Sequence, residues 1–181
     1  AAGFLRALRE TGFEPSGCQA LLLGAGGAAR AVAYALASVG AQVVILNRTP
    51  RRARALAEEF ATVSETAHLR AGPLDRENLR LEMARSQLVV NATSLGMWPQ
   101  VDASPWPEEV AFPSSALLFD LVYNPRQTRL MRHALRAGAS VAGGLRMLVH
   151  QGAEAFALWT ERKPPVNVMF AACCAALLGE D

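Results

Sequence analysis

The segment Gln19-Ala-Leu-Leu-Leu-Gly-Ala-Gly-Gly-Ala-Ala-Arg30 decides how the rest of this 181-residue sequence is interpreted. Its first residues form a short aliphatic run, which is typical of a strand that is buried on both faces. The glycines lead into an alanine-rich helical pattern that ends at Gly40. The residues between strand and helix fit the G-x-G-x-x-A turn that holds a dinucleotide pyrophosphate. The segment therefore predicts a phosphate-binding strand–turn–helix unit.

The small residues of this turn have different tasks. Gly24 permits the tight turn, Gly26 lets the backbone approach the pyrophosphate, and Ala29 lets the helix pack on the strand. Unpaired N–H groups and the positive end of the helix dipole would hold the phosphate charge. We therefore expect cofactor contacts from the whole turn, which comprises Gly24, Ala25, Gly26, Gly27 and Ala28.

Short apolar runs and helical patterns alternate along the rest of the chain. Further strands are expected in residues 41–47, within 61–73, and in 86–93, 116–123 and 139–144. Two apolar helices, Leu145–Thr160 and Val166–Leu178, close the sequence. Parallel strands need crossover connections, and right-handed crossovers favour the order 3-2-1-4-5-6. We predict an α/β, Rossmann-type, doubly wound, mostly parallel six-stranded sheet with helices on both faces and two C-terminal helices.

Composition argues against several classes of protein. A net charge of +2 without a block of basic residues gives no reason to expect nucleic acid as a partner. The most apolar stretch, residues 166–178, is shorter than the ~20 residues that cross a bilayer. Cys18, Cys173 and Cys174 have no metal-like spacing, and reduced thiols fit the cytoplasm. We expect a cytoplasmic protein without metal or membrane contact.

The end of the second strand indicates which dinucleotide binds. A domain specific for NAD would carry an acidic residue there, but this sequence has Asn47-Arg48-Thr49. Arg48 can stack on the adenine or bind the 2′-phosphate of NADP through paired N–H groups. Thr49 can donate its hydroxyl at a helix N-cap, and Arg52 points back to the same place, whereas Arg54 is expected in solvent. We predict NADP as the cofactor.

Several motifs in this order and spacing resemble the shikimate dehydrogenases. The first two, at residues 24–28 and 47–49, also occur in other NADP-binding domains, including that of glutamyl-tRNA reductase. The more specific ones are Asn91-Ala92-Thr93-Ser94-Leu95-Gly96-Met97, Asp120-Leu121-Val122-Tyr123-Asn124-Pro125 with Thr128, and Gly144-Leu145-Arg146-Met147-Leu148 with Gln151-Gly152. The resemblance covers nearly the whole chain. It implies reversible hydride transfer between NADPH and 3-dehydroshikimate, which gives shikimate in aromatic amino-acid biosynthesis.

The same resemblance assigns residues to the two halves of the reaction. It implies that Thr93, Leu121 and Gly144 lie along the nicotinamide half of the cofactor. It also implies that Tyr123 and Gln151 contact the hydroxylated, carboxylate-bearing substrate. The residues alone leave simpler interpretations open, because Tyr123 can be an ordinary strand-end aromatic and Gln151 a helix-surface amide.

Proton transfer in this family is implied to use a lysine–aspartate pair on a preceding substrate domain. Lys163 is the only lysine here and lies between the final helices, so we assign no catalytic residue to this chain. We expect residues 1–17 to form a connecting helix from an absent substrate domain and residues 18–143 the NADP-binding domain. Residues 144–181 would form helices that line the cleft. We expect the chain alone to be inactive. We also expect it to be a monomer or a homodimer.

Three alternatives remain at this point. A quinate/shikimate dehydrogenase that prefers NAD has the same fold, but the Asn47-Arg48-Thr49 segment disfavours it. Glutamyl-tRNA reductase shares the cofactor motifs, but not the pattern around Tyr123 and Gln151. A dinucleotide-sensing module without catalysis would explain the lack of a proton donor, although a sensor has no need for residues directed at a sugar-like acid.

Overall fold

The computed structural model describes residues 1–63 and 66–178, and these ranges contain six strands and seven helices. The strands are β1 (Gln19–Leu23), β2 (Gln42–Asn47), β3 (His68–Pro73), β4 (Leu88–Asn91), β5 (Leu117–Asp120) and β6 (Ser140–Gly143). The helices are α1 (Ala2–Arg9), α2 (Gly27–Ser38), α3 (Pro50–Phe60), α4 (Arg76–Met83), α5 (Arg129–Arg136), α6 (Leu145–Thr160) and α7 (Val166–Leu178). The two C-terminal helices have the bounds that the sequence predicted, and residues 179–181 of the predicted C-terminal region lie outside the described residues.

All six strands are parallel and follow the order β3-β2-β1-β4-β5-β6, which confirms the predicted doubly wound fold. The strand order reverses between β1 and β4, where such sheets bind their ligands. The register aligns Leu23 with Asn91, Asn91 with Asp120, and Asp120 with Gly143. The carboxyl ends of four neighbouring strands therefore meet at one edge of the sheet.

Both faces of the sheet are covered by apolar side chains, because successive residues of a strand point to opposite faces. Leu22 belongs to the core under α1, α2 and α3, whereas Leu21 and Leu23 belong to the core on the other face. Ala29 and Ala33 are fully buried, so α2 approaches the sheet closely, as its alanine-rich sequence predicts. The apolar runs of the strands thus fill two separate cores.

Helix α1 is part of the first core. Phe4 and Leu8 are buried, and the Phe4 ring contacts Phe119 of β5 edge to face, with 5.3 Å between ring centroids. The same helix packs against α6. An aromatic pair in this arrangement contributes about 0.5–1.5 kcal/mol beyond the burial of its surface. The first helix is therefore packed on the sheet through an apolar face.

The long connection between β4 and β5 divides into two parts. Trp106, Val110 and Phe112 are buried in the second core, and the Trp106 indole N–H donates to the Val110 carbonyl at 2.8 Å. Met97 and Trp98, near its start, are exposed. The side chains near the start of the connection are therefore at the surface, close to the carboxyl ends of the strands, whereas the buried residues of the second part hold it on the core.

Helix α7 is the most apolar helix, yet none of its described side chains is buried. Its main contacts with other elements are those with α6. Throughout the described part of the chain, every helix is too short or too polar to cross a bilayer.

Candidate functional site

A cleft of about 510 Å³ opens at the carboxyl ends of β1, β2, β4 and β5. It lies at the reversal of strand order and includes the glycine turn from which the sequence predicted cofactor contacts. Most of the predicted cofactor residues line it, together with one of the two predicted substrate residues: Gly24, Ala25, Gly26, Gly27, Ala28, Asn47, Arg48, Thr93, Leu121 and Tyr123. The fold thus brings together residues that are separated by up to a hundred positions in the sequence.

The glycine turn between β1 and α2 is shaped by the protein at one end and open at the other. Gly24 has a φ of +111°, and a Cβ there would lie 3.0 Å from the Ala92 carbonyl oxygen. A Cβ on Gly26 or Gly27 would meet no atom within 4 Å. Gly24 is therefore required by local packing, whereas Gly26 and Gly27 leave empty space that a ligand can fill.

The first turn of α2 has the donors that a phosphate needs. Gly26 is the N-cap, and no side chain caps the helix. The first turn carries no acidic residue, and within residues 1–63 and 66–178 the N–H groups of Gly26, Gly27 and Ala28 donate to no acceptor. These free donors and the positive end of the helix dipole fit a pyrophosphate group.

The second strand ends in a corner rich in arginine. Arg48 lines the cleft and is exposed, and the Asn47 side-chain amide donates to the Thr49 carbonyl at 3.0 Å, which orders the turn. Thr49 is the N-cap of α3, as predicted, but its hydroxyl makes no capping hydrogen bond. No arginine of this corner (Arg48, Arg51, Arg52, Arg54) forms an ion pair with any described carboxylate. The corner therefore retains its positive charge for an anionic ligand.

Thr49 and Arg52 do not line the cleft itself. Both are exposed at the start of α3, directly beside Arg48. Their position is compatible with a phosphate group that extends beyond the cleft, as the 2′-phosphate of NADP would. Arg54 is exposed as well, as the sequence predicted.

The turn after β4 is held by side-chain hydrogen bonds. The backbone N–H and the hydroxyl of Thr93 both donate to Asn91 Oδ1, at 3.0 and 2.7 Å. The N–H of Leu95 donates to the Thr93 hydroxyl oxygen at 3.2 Å. Thr93 is half-buried in the wall of the cleft. Its position is therefore determined by Asn91, the last residue of the buried strand.

A buried carboxylate lies behind this turn. Asp120, at the end of β5, accepts hydrogen bonds from Asn91 Nδ2 at 2.9 Å, from the Val122 N–H at 3.1 Å and from the Thr128 hydroxyl at 2.7 Å. Burial raises the pKa of Asp120, and the three hydrogen bonds lower it in part. The sequence motifs contained Asn91, Asp120 and Thr128, but sequence alone assigned no role to Asp120 and Thr128. The position of Asn91 and Asp120 at the ends of apolar strands was the signal that could have indicated one.

Tyr123 stands between the cofactor cleft and a neighbouring one. The second cleft, of about 420 Å³, is lined by Tyr123, Gly144, Arg126 and the end of α1. Gly144 is buried, and a Cβ there would overlap the backbone of Leu121. Glycine is therefore required at position 144 by the packing of two backbone segments. The structure places it beside Tyr123 and outside the lining of the cofactor cleft.

Gln151 lies on α6 and is not among the residues that line either cleft. Its side chain is exposed, and its backbone N–H lies where a Cβ on Gly3 would approach to 3.2 Å. The described structure therefore places Gln151 at the contact of α6 with α1, whereas Tyr123 borders both clefts.

The neighbour of Gln151 is a buried histidine. His150 is 2% exposed, and its Nε2 lies 2.9 Å from Glu10 Oε1. Arg146 approaches the other carboxylate oxygen of Glu10 at 3.3 Å. Burial raises the pKa of Glu10, but hydrogen bonds and charges from His150 and Arg146 outweigh it and leave the pKa lowered. The sequence had left this histidine without a role, and the structure assigns it to the α1–α6 contact.

Candidate proton donors are scarce around the clefts. Lys163 is exposed in the connection between α6 and α7 and lines neither cleft. Within residues 1–63 and 66–178, Glu10 is the only carboxylate that lines either of them. Among the described residues, no group of three or more His, Cys, Asp or Glu side chains is arranged to hold a metal ion.

Known proteins resemble this chain in sequence. A family model described as shikimate/quinate 5-dehydrogenase matches residues 7–128, and one described as the shikimate 5′-dehydrogenase C-terminal domain matches residues 144–173. The shikimate dehydrogenase (NADP(+)) of Moorella thermoacetica is 48% identical over 169 residues, which cover 93% of this chain and 57% of that protein. The chain therefore spans little more than half the length of this relative.

Solved structures agree with the sequence comparison. The shikimate 5-dehydrogenase of Thermus thermophilus, in complex with NADP(H) and shikimate, is 46% identical with a TM-score of 0.82, over 98% of this chain and 62% of that one. The quinate dehydrogenase of Corynebacterium glutamicum, in complex with NAD, is 29% identical with a TM-score of 0.82, over 96% of this chain and 61% of that one. On the evidence of motifs, fold and relatives together, the chain belongs to the shikimate/quinate 5-dehydrogenase family.

Proposed function

We propose that this chain is the NADP(H)-binding part of a shikimate dehydrogenase, which interconverts 3-dehydroshikimate and shikimate. One observation carries the proposal. The open glycine turn, with unpaired N–H groups, faces the same cleft as Arg48, and no described carboxylate neutralises that arginine. A dinucleotide with a 2′-phosphate fits this combination of donors and charge.

Each part of the site would have a separate task. The residues of the glycine turn would hold the pyrophosphate, and Asn47, Arg48, Thr49 and Arg52 the adenosine 2′-phosphate. The nicotinamide of the bound cofactor would supply or accept the hydride. Thr93, Leu121 and Gly144 would position this half of the cofactor. Tyr123 and Gln151 would orient the substrate, whose hydroxyl and carboxylate groups need hydrogen-bond partners.

The proposal includes a division of the chain. Residues 1–17 would connect to a substrate domain, residues 18–143 would bind the cofactor, and residues 144–181 would complete the cleft. The chain alone would bind NADP(H) without turnover, because Lys163 lines neither cleft and the proton donor of the family is implied to lie on the substrate domain. The similarity to shikimate dehydrogenases that are named for NADP supports the choice of cofactor.

A comparison of NADPH and NADH tests the proposal. Both would be titrated into the purified chain while nicotinamide fluorescence and calorimetric heat are followed. We expect NADPH to bind at least about tenfold more tightly, a difference of about 1.4 kcal/mol. Binding of neither dinucleotide would refute the proposal.

A second candidate function is supported by one of the structural similarities. The quinate dehydrogenase in complex with NAD shares the fold with a TM-score of 0.82, so a quinate/shikimate enzyme that prefers NAD is the alternative. Equal binding of NADH and NADPH would favour this alternative and remove Arg48, Thr49 and Arg52 from their proposed role.

A further inference from the structure

A buried polar network connects the two loops that border the inner end of the cofactor cleft. Its members, Asn91, Asp120 and Thr128, are at most 1% exposed, and none of them lines the cleft. Asn91 ends β4, Asp120 ends β5, and Thr128 is the N-cap of α5. The network therefore joins three elements behind the wall of the site.

The chemistry of Asp120 determines the orientation of the Asn91 amide. A carboxylate oxygen accepts hydrogen bonds, so Asn91 presents Nδ2 to Asp120 Oδ1, at 2.9 Å. The amide oxygen is then directed to Thr93, whose N–H and hydroxyl both donate to it. A reversed amide would place its oxygen against the carboxylate and its NH₂ group against two donors. The Thr93 turn is thus oriented by a residue that does not contact the cleft.

The same carboxylate also holds the second loop. Asp120 Oδ1 accepts from the Val122 N–H at 3.1 Å, one residue before Tyr123. Its Oδ2 accepts from the Thr128 hydroxyl at 2.7 Å, and Thr128 in turn accepts from the Met131 N–H at 3.1 Å and so caps α5. Thr93 and Tyr123 are thirty positions apart in sequence, but both loops are hydrogen-bonded to the same buried network, the first through Asn91 and the second through Asp120.

We propose that Asn91, Asp120 and Thr128 are positioning residues, which hold the Thr93 and Tyr123 loops in the geometry that the nicotinamide half of the dinucleotide needs. This inference rests on the proposed function. It extends that function by separating the site into an adenosine half, built on the glycine turn and Arg48, and a nicotinamide half that depends on the network. Loss of the network would weaken binding to the second half only.

The test compares two ligands on matched variants. NADPH reaches both halves of the site, whereas adenosine 2′,5′-bisphosphate has only the adenosine half. We expect Asn91→Ala to weaken NADPH at least about tenfold, with the affinity for the bisphosphate changed less than about twofold. Thr128→Val removes one hydroxyl at the far side of the network. It should weaken NADPH by less than Asn91→Ala does and leave the affinity for the bisphosphate nearly unchanged, and it serves if Asn91→Ala does not fold.

A control variant is available at the other end of β4, where the strand begins. Ser86 is buried beside the start of β4, and its hydroxyl donates to the Glu82 carbonyl at 2.9 Å. Ser86→Ala removes a comparable buried hydrogen bond and should leave both affinities unchanged. Equal weakening of NADPH and the bisphosphate by Asn91→Ala, or no weakening of NADPH, overturns the inference. A wild-type chain that binds neither ligand refutes the proposed function itself, so the two failures are distinguishable.

Discussion

Arg48 is the residue on which the proposed preference for NADP depends. It is exposed at the end of β2, lines the cleft and has no carboxylate partner among the described residues. An arginine without a partner keeps its five N–H donors for a ligand, and paired contacts to a phosphate are the strongest hydrogen bonds it can make. The neighbouring Arg54 has the same charge but lies outside the cleft lining.

Replacement of Arg48 should therefore affect the binding of NADPH and the binding of NADH differently. We expect Arg48→Ala to weaken NADPH about tenfold or more, because a charge-assisted contact to the 2′-phosphate is lost, and to leave NADH nearly unchanged. Fluorescence titration with each dinucleotide measures this. Arg54→Ala is the matched control and should alter neither affinity. A similar loss for NADH and NADPH would mean that Arg48 contacts another part of the cofactor.

Cys18 differs from the other two cysteines in its surroundings. It is 5% exposed, and burial, together with the charge of Glu14, raises the pKa of its thiol to about 11. Cys173 and Cys174 are half-buried on α7. The thiolate is the reactive form, and at about pH 8 a thiol of this pKa is only about 0.1% ionised.

Alkylation should therefore distinguish Cys18. We expect iodoacetamide at about pH 8 to modify Cys173 and Cys174 well before Cys18, because Cys18 is both protonated and inaccessible. Peptide mass spectrometry over time measures the three rates. In denaturant the three cysteines should react at similar rates, and early modification of Cys18 in the folded chain would show that the loop before β1 opens.

Among the elements, α1 and α6 are joined by a polar contact that is partly exposed to solvent. Glu10 follows α1 and contacts both His150 and Arg146 of α6. The Arg146 guanidinium also lies 4.7 Å from the centre of the Phe170 ring of α7. One carboxylate thus links α1 to α6, and Arg146 extends the link to α7.

The lowered pKa of Glu10 makes this contact dependent on pH. A carboxyl group whose pKa is lower in the folded state stabilises the fold above its ordinary pKa, and this stabilisation is lost as the pH falls through the folded value. We expect Glu10→Gln to lower the free energy of unfolding by about 1 kcal/mol at neutral pH, and less at about pH 3. Chemical denaturation at both pH values measures the difference.

Glu14→Gln is the control for this experiment. The Glu14 side chain is 67% exposed, and its nearest cation, on Arg9, is 4.0 Å away. Such a pair contributes little, so the stability should change by less than about 0.5 kcal/mol at either pH. If Glu10→Gln destabilises the protein equally at both pH values, its effect comes from packing and not from charge.

The elements also show how far sequence reasoning extends. The strands and the last two helices were predictable because apolar periodicity and glycine or proline boundaries are local signals. The Asn91–Asp120 hydrogen bond was not, because it depends on the register of β4 against β5. For the same reason, the sequence could not show that Gly144 packs on Leu121 or that His150 is buried against Glu10.

At the scale of the whole molecule, few of the described residues that border the proposed cofactor site could transfer a proton. The carbonyl of 3-dehydroshikimate must gain a proton as well as a hydride to become a hydroxyl group. In the described part of the chain, Tyr123 is the only phenol that borders the clefts, and Lys163 is exposed in the connection between α6 and α7. The relatives that carry the activity in their names are longer, and this chain covers 57% of the one from Moorella thermoacetica.

A polypeptide of these 181 residues should therefore bind NADPH but reduce 3-dehydroshikimate negligibly. We expect no NADPH oxidation, followed by absorbance, above the rate without protein, whereas the complete Moorella relative, assayed in parallel, serves as the positive control. Enzymes typically turn over at about 1–10³ per second, so a rate in that range from this chain would contradict the expectation. The proton would then have to come from Tyr123 or from water in the cleft. Tyr123→Phe would distinguish these sources, because only a phenolic donor is lost in that variant.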